Sequence, residues 1–455
     1  MEFDMKKLLL IPLLASGFFF GQNTQDAQAL KKISTQILTQ GEAYNDLHFL
    51  TKKIGNRLSG SPAYEKAVQW GAEQLKKAGA EKIWLQPVKV PVWERGTESL
   101  FIKTPSGTWT KMKMLSLGNS EGTQGKDLVG DLIMVNTLEE FNQLKESQVR
   151  DKIVFFNYIF RQDFIETFEG YSDAGKYRSS TASLVAKKGG KAVIVRSIST
   201  AVDDVPHTGG MHYHEGSKKI PAVALGPLGA DRLAQLLKTS KVSAKLNSNC
   251  GMKGEKITHS VIGEIKGTLD QKVIAVGGHL DSWDVGEGAQ DDGAGVVQSI
   301  EVIRTFKKLN IKPKHTIRAV LFANEENGNR GGETYADSLN VKKEPHLFAL
   351  ESDSGGYSPR GFGLAITAEQ SAQVKSWLPL FEPYGIQHIN DSYPGTDIIP
   401  MKKYGVALAG LVPDSQRYFD LHHSESDVFE AVNRRELLLG ATVMTQLIYM
   451  IDQHW

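Results

Sequence analysis

The sequence predicts an α/β protein built on a mainly parallel, doubly wound sheet, with a smaller β/α domain inserted into it. Three observations carry that expectation. Residues 273–323 read as strand, helix, strand: the apolar run Val273-Ile274-Ala275-Val276, then helical spacing through Val296, Ile300, Ile303 and Phe306, then a second apolar run over 316–323. Short apolar runs at 347–350 and 406–409 offer further strands to the same sheet. A separate group of short strands and helices lies between about 126 and 256, closed by the polar stretch 238–253.

Composition bounds the rest. A chain of 455 residues, 40% of them apolar, can fill two or three well-buried domains. Its 53 basic and 52 acidic side chains nearly cancel, and no long basic run breaks the balance, so no nucleic-acid partner is expected. Cys250 is the one cysteine, which excludes an internal disulfide and a thiolate zinc site.

Taken in order, Lys6 and Lys7 precede an apolar stretch over 8–20 that ends at Gly21-Gln22-Asn23. That pattern predicts a signal peptide over 1–21, cut after Gly17 or Gly21, and export to the periplasm or beyond. The stretch is too short to span a bilayer, and no second apolar run reaches membrane length. A buried first helix is the alternative reading. Helical spacing follows through Ala29, Ile33, Ile37 and Leu38, then Val68, Trp70 and Leu75, with Gly79 as the stop. Trp84, Leu85, Val88, Val90, Val92 and Trp93 suggest β structure, and 101–114 a hairpin turning at Pro105-Ser106-Gly107. In the insert, strands are expected at 128–129, 132–135, 152–156, 192–195 and 220–225, with helices over 182–188 and 228–237. The expected organisation is a discontinuous unit of 22–125 and 257–455 around an insert of 126–256.

Chemistry gathers at strand ends. His279 closes the first run of the 273–323 unit, in GGHLDSWDVGEGAQDDGAG, where open parallel sheets place their ligands. Asp291 and Asp292 stand before the next helix, Glu325 and Glu326 follow the next strand, and Asp353 follows another in ALESDSGG. LHHSESDVF brings His422 and His423 late in the chain. Singly, each has a bland reading: a satisfied polar histidine, a solvated acidic pair, an Asp that caps a helix. Together they would put several carboxylates on one sheet edge, which is costly without cations, and mixed imidazole and carboxylate ligation favours zinc.

In these residues the chain resembles the co-catalytic zinc aminopeptidase family, and from about Tyr44 onward its carboxypeptidase Q branch. IGNRLSGSPAYEKAVQW, PHTGGMHY and PGTDIIPM add to the likeness, and the insert resembles a protease-associated domain. The resemblance implies a zinc exopeptidase fold, a homodimer and two Zn²⁺ per chain. It implies His279 and Asp353 on one zinc, Glu326 and His423 on the other, and Asp291 bridging them. A bridging hydroxide would attack the peptide bond of a dipeptide or short peptide, with Glu325 as general base. Asp281 and Asp427 would accept from the ring N–H groups of His279 and His423. His422 stands where many relatives carry Tyr, which implies oxyanion stabilisation. Arg330, in a glycine-flanked loop, is a candidate clamp for the substrate carboxylate. The rival readings are a metal-free, receptor-like ectodomain, a single-zinc acyltransferase of the glutaminyl cyclase type, and structural calcium binding.

Overall fold

The computed structural model describes the backbone of residues 11–455 and the side chains of 24–455, so the signal peptide expected over 1–21 lies outside the fully described residues. Sixteen strands occur among the described residues: β1 (Lys82–Glu94), β2 (Glu98–Lys103), β3 (Thr110–Met112), β4 (Met114–Ser116), β5 (Leu128–Val135), β6 (Ile153–Phe156), β7 (Ala192–Arg196), β8 (Ala222–Leu225), β9 (Ser243–Ser248), β10 (Gly251–Ile265), β11 (Val273–His279), β12 (Thr316–Phe322), β13 (His346–Glu351), β14 (Pro359–Ala365), β15 (His388–Asp391) and β16 (Ala407–Pro413). They form two eight-stranded sheets, ordered β1-β10-β12-β11-β13-β16-β14-β15 and β3-β2-β9-β5-β6-β7-β8-β4.

In the first sheet β12, β11, β13 and β16 run parallel, and antiparallel pairs flank them. The chain leaves β11 for β12 on one side, then crosses back to β13 on the other, so β11 is the strand where the winding direction reverses. The two crossover helices accordingly pack on opposite faces. Ala294–Lys308 buries Ile300 and Phe306 beside Val68, Leu437 and Ile448, and Arg330–Lys342 buries Tyr335 and Leu339 beside Met401. Pro62–Ala78 shows how local chemistry sets the ends: the Ser61 side chain accepts from the Tyr64 amide, Pro62 takes the first turn, and Gly79 ends the helix at φ 97°. Among the described residues no helix is long and apolar enough to cross a membrane.

The second sheet departs from the expected boundaries. The hairpin around residues 105–107 forms, with Leu100 opposite Met112, but it belongs to the second sheet, because Leu100, Ile102, Met112 and Met114 bury into that sheet's core. The polar stretch at 238–253 likewise contains strand β9, whose Ala244, Leu246 and Ser248 point inward. The second sheet therefore runs from Glu98 to Ser248, not from 126 to 256. It is spliced into the first through β1 and β10, a long antiparallel ribbon with Lys82 opposite Glu264 and Glu94 opposite Gly251.

Candidate metal centre

Four parallel strands deliver the site to one sheet edge. His279 is the last residue of β11, Glu325 and Glu326 follow β12, Asp353 follows β13, and the chain beyond β16 leads to His422 and His423. Asp291 and Asp292 enter from the loop before helix Ala294–Lys308, and the peptide bond between them is cis. That loop is held from a distance. The buried Arg57 guanidinium donates to the carbonyls of Leu280 (2.6 Å), Glu287 (2.9 Å) and Gly288 (3.0 Å), which gives the IGNRLSG string a physical role.

The side chains converge around Asp291. Its Oδ1 lies 3.2 Å from His279 Nε2, and its Oδ2 lies 3.1 Å from His423 Nε2. His279 Nε2 is also 3.2 Å from Asp353 Oδ1, and His423 Nε2 is 3.2 Å from Glu326 Oε2. The structure thus brings all five expected metal ligands together, in two sets that share one carboxylate. His279 Nδ1 donates to the Asp281 carbonyl at 3.0 Å, which leaves Nε2 to face the carboxylates. His422 stacks on His423 with ring centroids 3.4 Å apart, and its Nε2 is 3.5 Å from Asp291 Oδ2, farther than that of His423. Asp292 is close by, but its oxygens accept the amides of His279 (3.0 Å) and Gly295 (2.9 Å).

The donor set fits divalent cations. Ligand atoms of Asp291, His422 and His423, of His279, Asp292 and Asp353, and of His279, Asp291 and Glu326 each lie within 4.8 Å of one another. Asp291 Oδ2 is buried and accepts no hydrogen bond from any described residue. Burial opposes ionisation of Asp291, yet the imidazoles of His279 and His423 hold it well below the ordinary carboxylate range. Burial, aided by the Asp291 charge, raises Glu326 well above its usual range. Glu325 is pushed up to about 8 by burial and by Asp353 and Asp291, against the opposing pull of His279. Crowded carboxylates that retain protons are what a site built around cations shows when only its protein charges act.

Three expected partners differ. The Asp281 carboxylate accepts the Glu325 and Glu326 amides (3.1 and 3.4 Å) instead of the His279 ring, which is served by the Asp281 main chain. The Asp427 carboxylate accepts the Gln290 and Asp291 amides (2.7 and 3.2 Å), and His423 Nδ1 is buried without a partner. Both acids therefore fasten backbone that carries ligands. Arg330 opens helix Arg330–Lys342, is exposed and sits 3.6 Å from Glu333, and it does not line the cavity over the site.

That cavity, about 970 Å³, is walled by both sheets' domains. From helix Thr167–Ser179 of the insert come Tyr171 and Arg178, the one Lys or Arg among its lining residues. Arg178 donates to the Tyr171 hydroxyl at 2.6 Å, and Tyr171 meets His422 edge-on at 5.1 Å. The PHTGGMHY loop reaches the histidines directly: His207 Nδ1 donates to the His422 carbonyl (2.6 Å), and the Thr208 amide to that of His423 (2.9 Å). Sequence reasoning missed these roles, since nothing in periodicity links residue 207 to residue 422.

Comparison with known proteins places the chain. A family model described as peptidase family M28 matches residues 260–448. Carboxypeptidase Q of Homo sapiens is 31% identical over 427 residues, which cover 93% of this chain and 88% of that protein. The crystal structure of a peptidase M28 precursor from Shewanella amazonensis SB2B matches with a TM-score of 0.89 at 31% identity, over 94% of this chain and 97% of that one. An aminopeptidase from Aneurinibacillus sp. strain AM-1 shares the fold, with a TM-score of 0.63 at 21% identity over 92% of this chain and 95% of that one.

Proposed function

The chain belongs to peptidase family M28 as a carboxypeptidase Q-type protein, and from that premise we propose that it is an exported di-zinc exopeptidase acting on dipeptides or short peptides. The observation that carries this reading is Asp291, whose two oxygens each face a different imidazole. His279 and Asp353 would hold one zinc, Glu326 and His423 the other, and Asp291 both. When bound, such a pair of cations acidifies water and polarises the scissile carbonyl.

The protein's own groups do the rest. Glu325 lines the cavity beside the ligands without belonging to either ligand set, and it takes the proton of the attacking water and hands it to the leaving amine. Its backbone is fixed by Asp281, which keeps the carboxylate within reach. His422, held well below the ordinary imidazole range chiefly by burial, offers an N–H to the developing oxyanion. Arg178 replaces Arg330 as the group that receives the substrate carboxylate, since it lines the cavity and no described carboxylate pairs with it. Glu166 and Glu169 at the same wall bias the mouth toward a free amine. A homodimer remains part of the proposal, on resemblance.

The test is a dipeptide panel with free and blocked termini, run on zinc-loaded and chelated protein. Cleavage of free dipeptides, lost on chelation and restored by two equivalents of zinc, is the expected result. A metal-free receptor-like chain would cleave nothing under either condition. Full activity at one equivalent would favour the single-zinc reading.

A further inference from the structure

The segment that carries His422 and His423 is gripped from the other domain along its length. The Thr167 hydroxyl donates to the Ser415 carbonyl (3.0 Å), the Ser199 hydroxyl to the Phe419 carbonyl (2.9 Å) and the Thr200 hydroxyl to Asp420 Oδ1 (2.6 Å). His207 and the Thr208 amide then take the carbonyls of His422 and His423. Behind these bonds Phe160, Ala174 and Ile198 of the insert pack against Tyr357, Tyr418 and Phe419. His207 is 2% exposed, and a carbonyl only accepts, so Nδ1 carries the proton. Among the described residues no comparable grip reaches His279, which sits at the end of a central strand paired on both sides.

We propose that the inserted domain sets the metal affinity of one zinc position selectively, with His207 as the positioning residue that holds the His422–His423 backbone in register with Glu326 and Asp291. The inference rests on the two-zinc reading. It assigns the insert a function in metal retention besides its contribution to the cavity wall. Outer groups that orient ligands typically change metal affinity by roughly 10–100-fold.

The experiment compares His207→Leu with His207→Asn, because the Asn side-chain amide can present an N–H close to the place of Nδ1. Stepwise zinc affinities are measured by competition with a chelating indicator, alongside thermal unfolding. His207→Leu is expected to weaken one zinc by roughly 10–100-fold and leave the other within about twofold, and His207→Asn to recover most of the loss. Equal weakening of both zincs, or of neither, overturns the proposal, as does a His207→Asn as poor as His207→Leu. Should His207→Leu fail to fold, Thr200→Val loosens the same segment at Asp420, and unchanged affinities in that variant overturn it equally. A wild type that binds one zinc would refute the two-zinc reading instead, and the same variants would then score the positioning claim on that single ion.

Discussion

Both sheets place four adjacent parallel strands at their centre, β12-β11-β13-β16 in one and β5-β6-β7-β8 in the other, yet their carboxyl edges do different work. In the first, the edge ends in His279, Glu325, Glu326 and Asp353, side chains that repel or compete until a cation joins them. In the second, the strands β6 and β7 run into Asn157, Ser197, Ser199 and Thr200, short polar groups whose bonds go to the Arg196 and Asp420 side chains and to the backbone of His207 and Phe419. The same architectural position is a ligand site in one case and a docking face in the other. Strand topology decides where a site lies, and side-chain charge decides whether it binds an ion or another domain.

Asp291→Ala, which deletes the shared carboxylate, has the largest expected effect. It is expected to lose both zincs and all measurable turnover, checked by metal analysis of the purified variant, and full zinc content would show that the bridge is misassigned. Next in size, Glu325→Gln should keep two zincs and lose roughly 10²–10⁴ in kcat, since the amide cannot accept a proton. Turnover within a few-fold of wild type would remove Glu325 from the mechanism. His422→Phe should cost roughly 10²–10³ in kcat with zinc retained, and a zinc-depleted variant would make His422 a ligand.

Proton linkage sharpens the contrast further. Glu325 at about 8 lies above its unfolded value near 4.5, so the metal-free folded chain binds more protons than the unfolded one between those limits. Stability of the metal-free protein should therefore fall as pH rises through that window. Zinc must displace these protons, so its affinity should rise from pH 6 to pH 8, and calorimetry in buffers of different ionisation enthalpy should record proton release. The smallest effect belongs to the docking face: Ser199→Ala, which removes one bond to the Phe419 carbonyl, should lower stability by about 1 kcal/mol. An unchanged unfolding temperature would mean that the Phe419 carbonyl finds another donor.

What could be read from sequence followed local chemistry. The 273–323 unit, the Gly79 stop and the convergence of His279, Asp291, Glu326, Asp353 and His423 all depend on periodicity or on motifs at strand ends. What could not be read depended on pairing across distance. The hairpin at 101–114 has the same alternation whichever sheet it joins, and only the burial of Leu100 and Met112 shows which. Asp281 and Asp427 lie beside the expected ligands, but an acid near a histidine can equally serve an amide, and no spacing rule separates the two. His207 acts on a residue 215 positions away and Arg178 reaches the cavity from the insert, so nothing in their own neighbourhood marks them.

The ribbon of β1 and β10 has a consequence for the order in which the molecule can be assembled. The inserted sheet is complete in sequence at Ser248, before any of the five ligand positions has been synthesised. A chain that folds domain by domain as it emerges would meet residues 415–423 with their docking face already standing. The last ligand would then be laid onto a finished template, and a nascent chain truncated before Ser415 would present a docking face with nothing to hold.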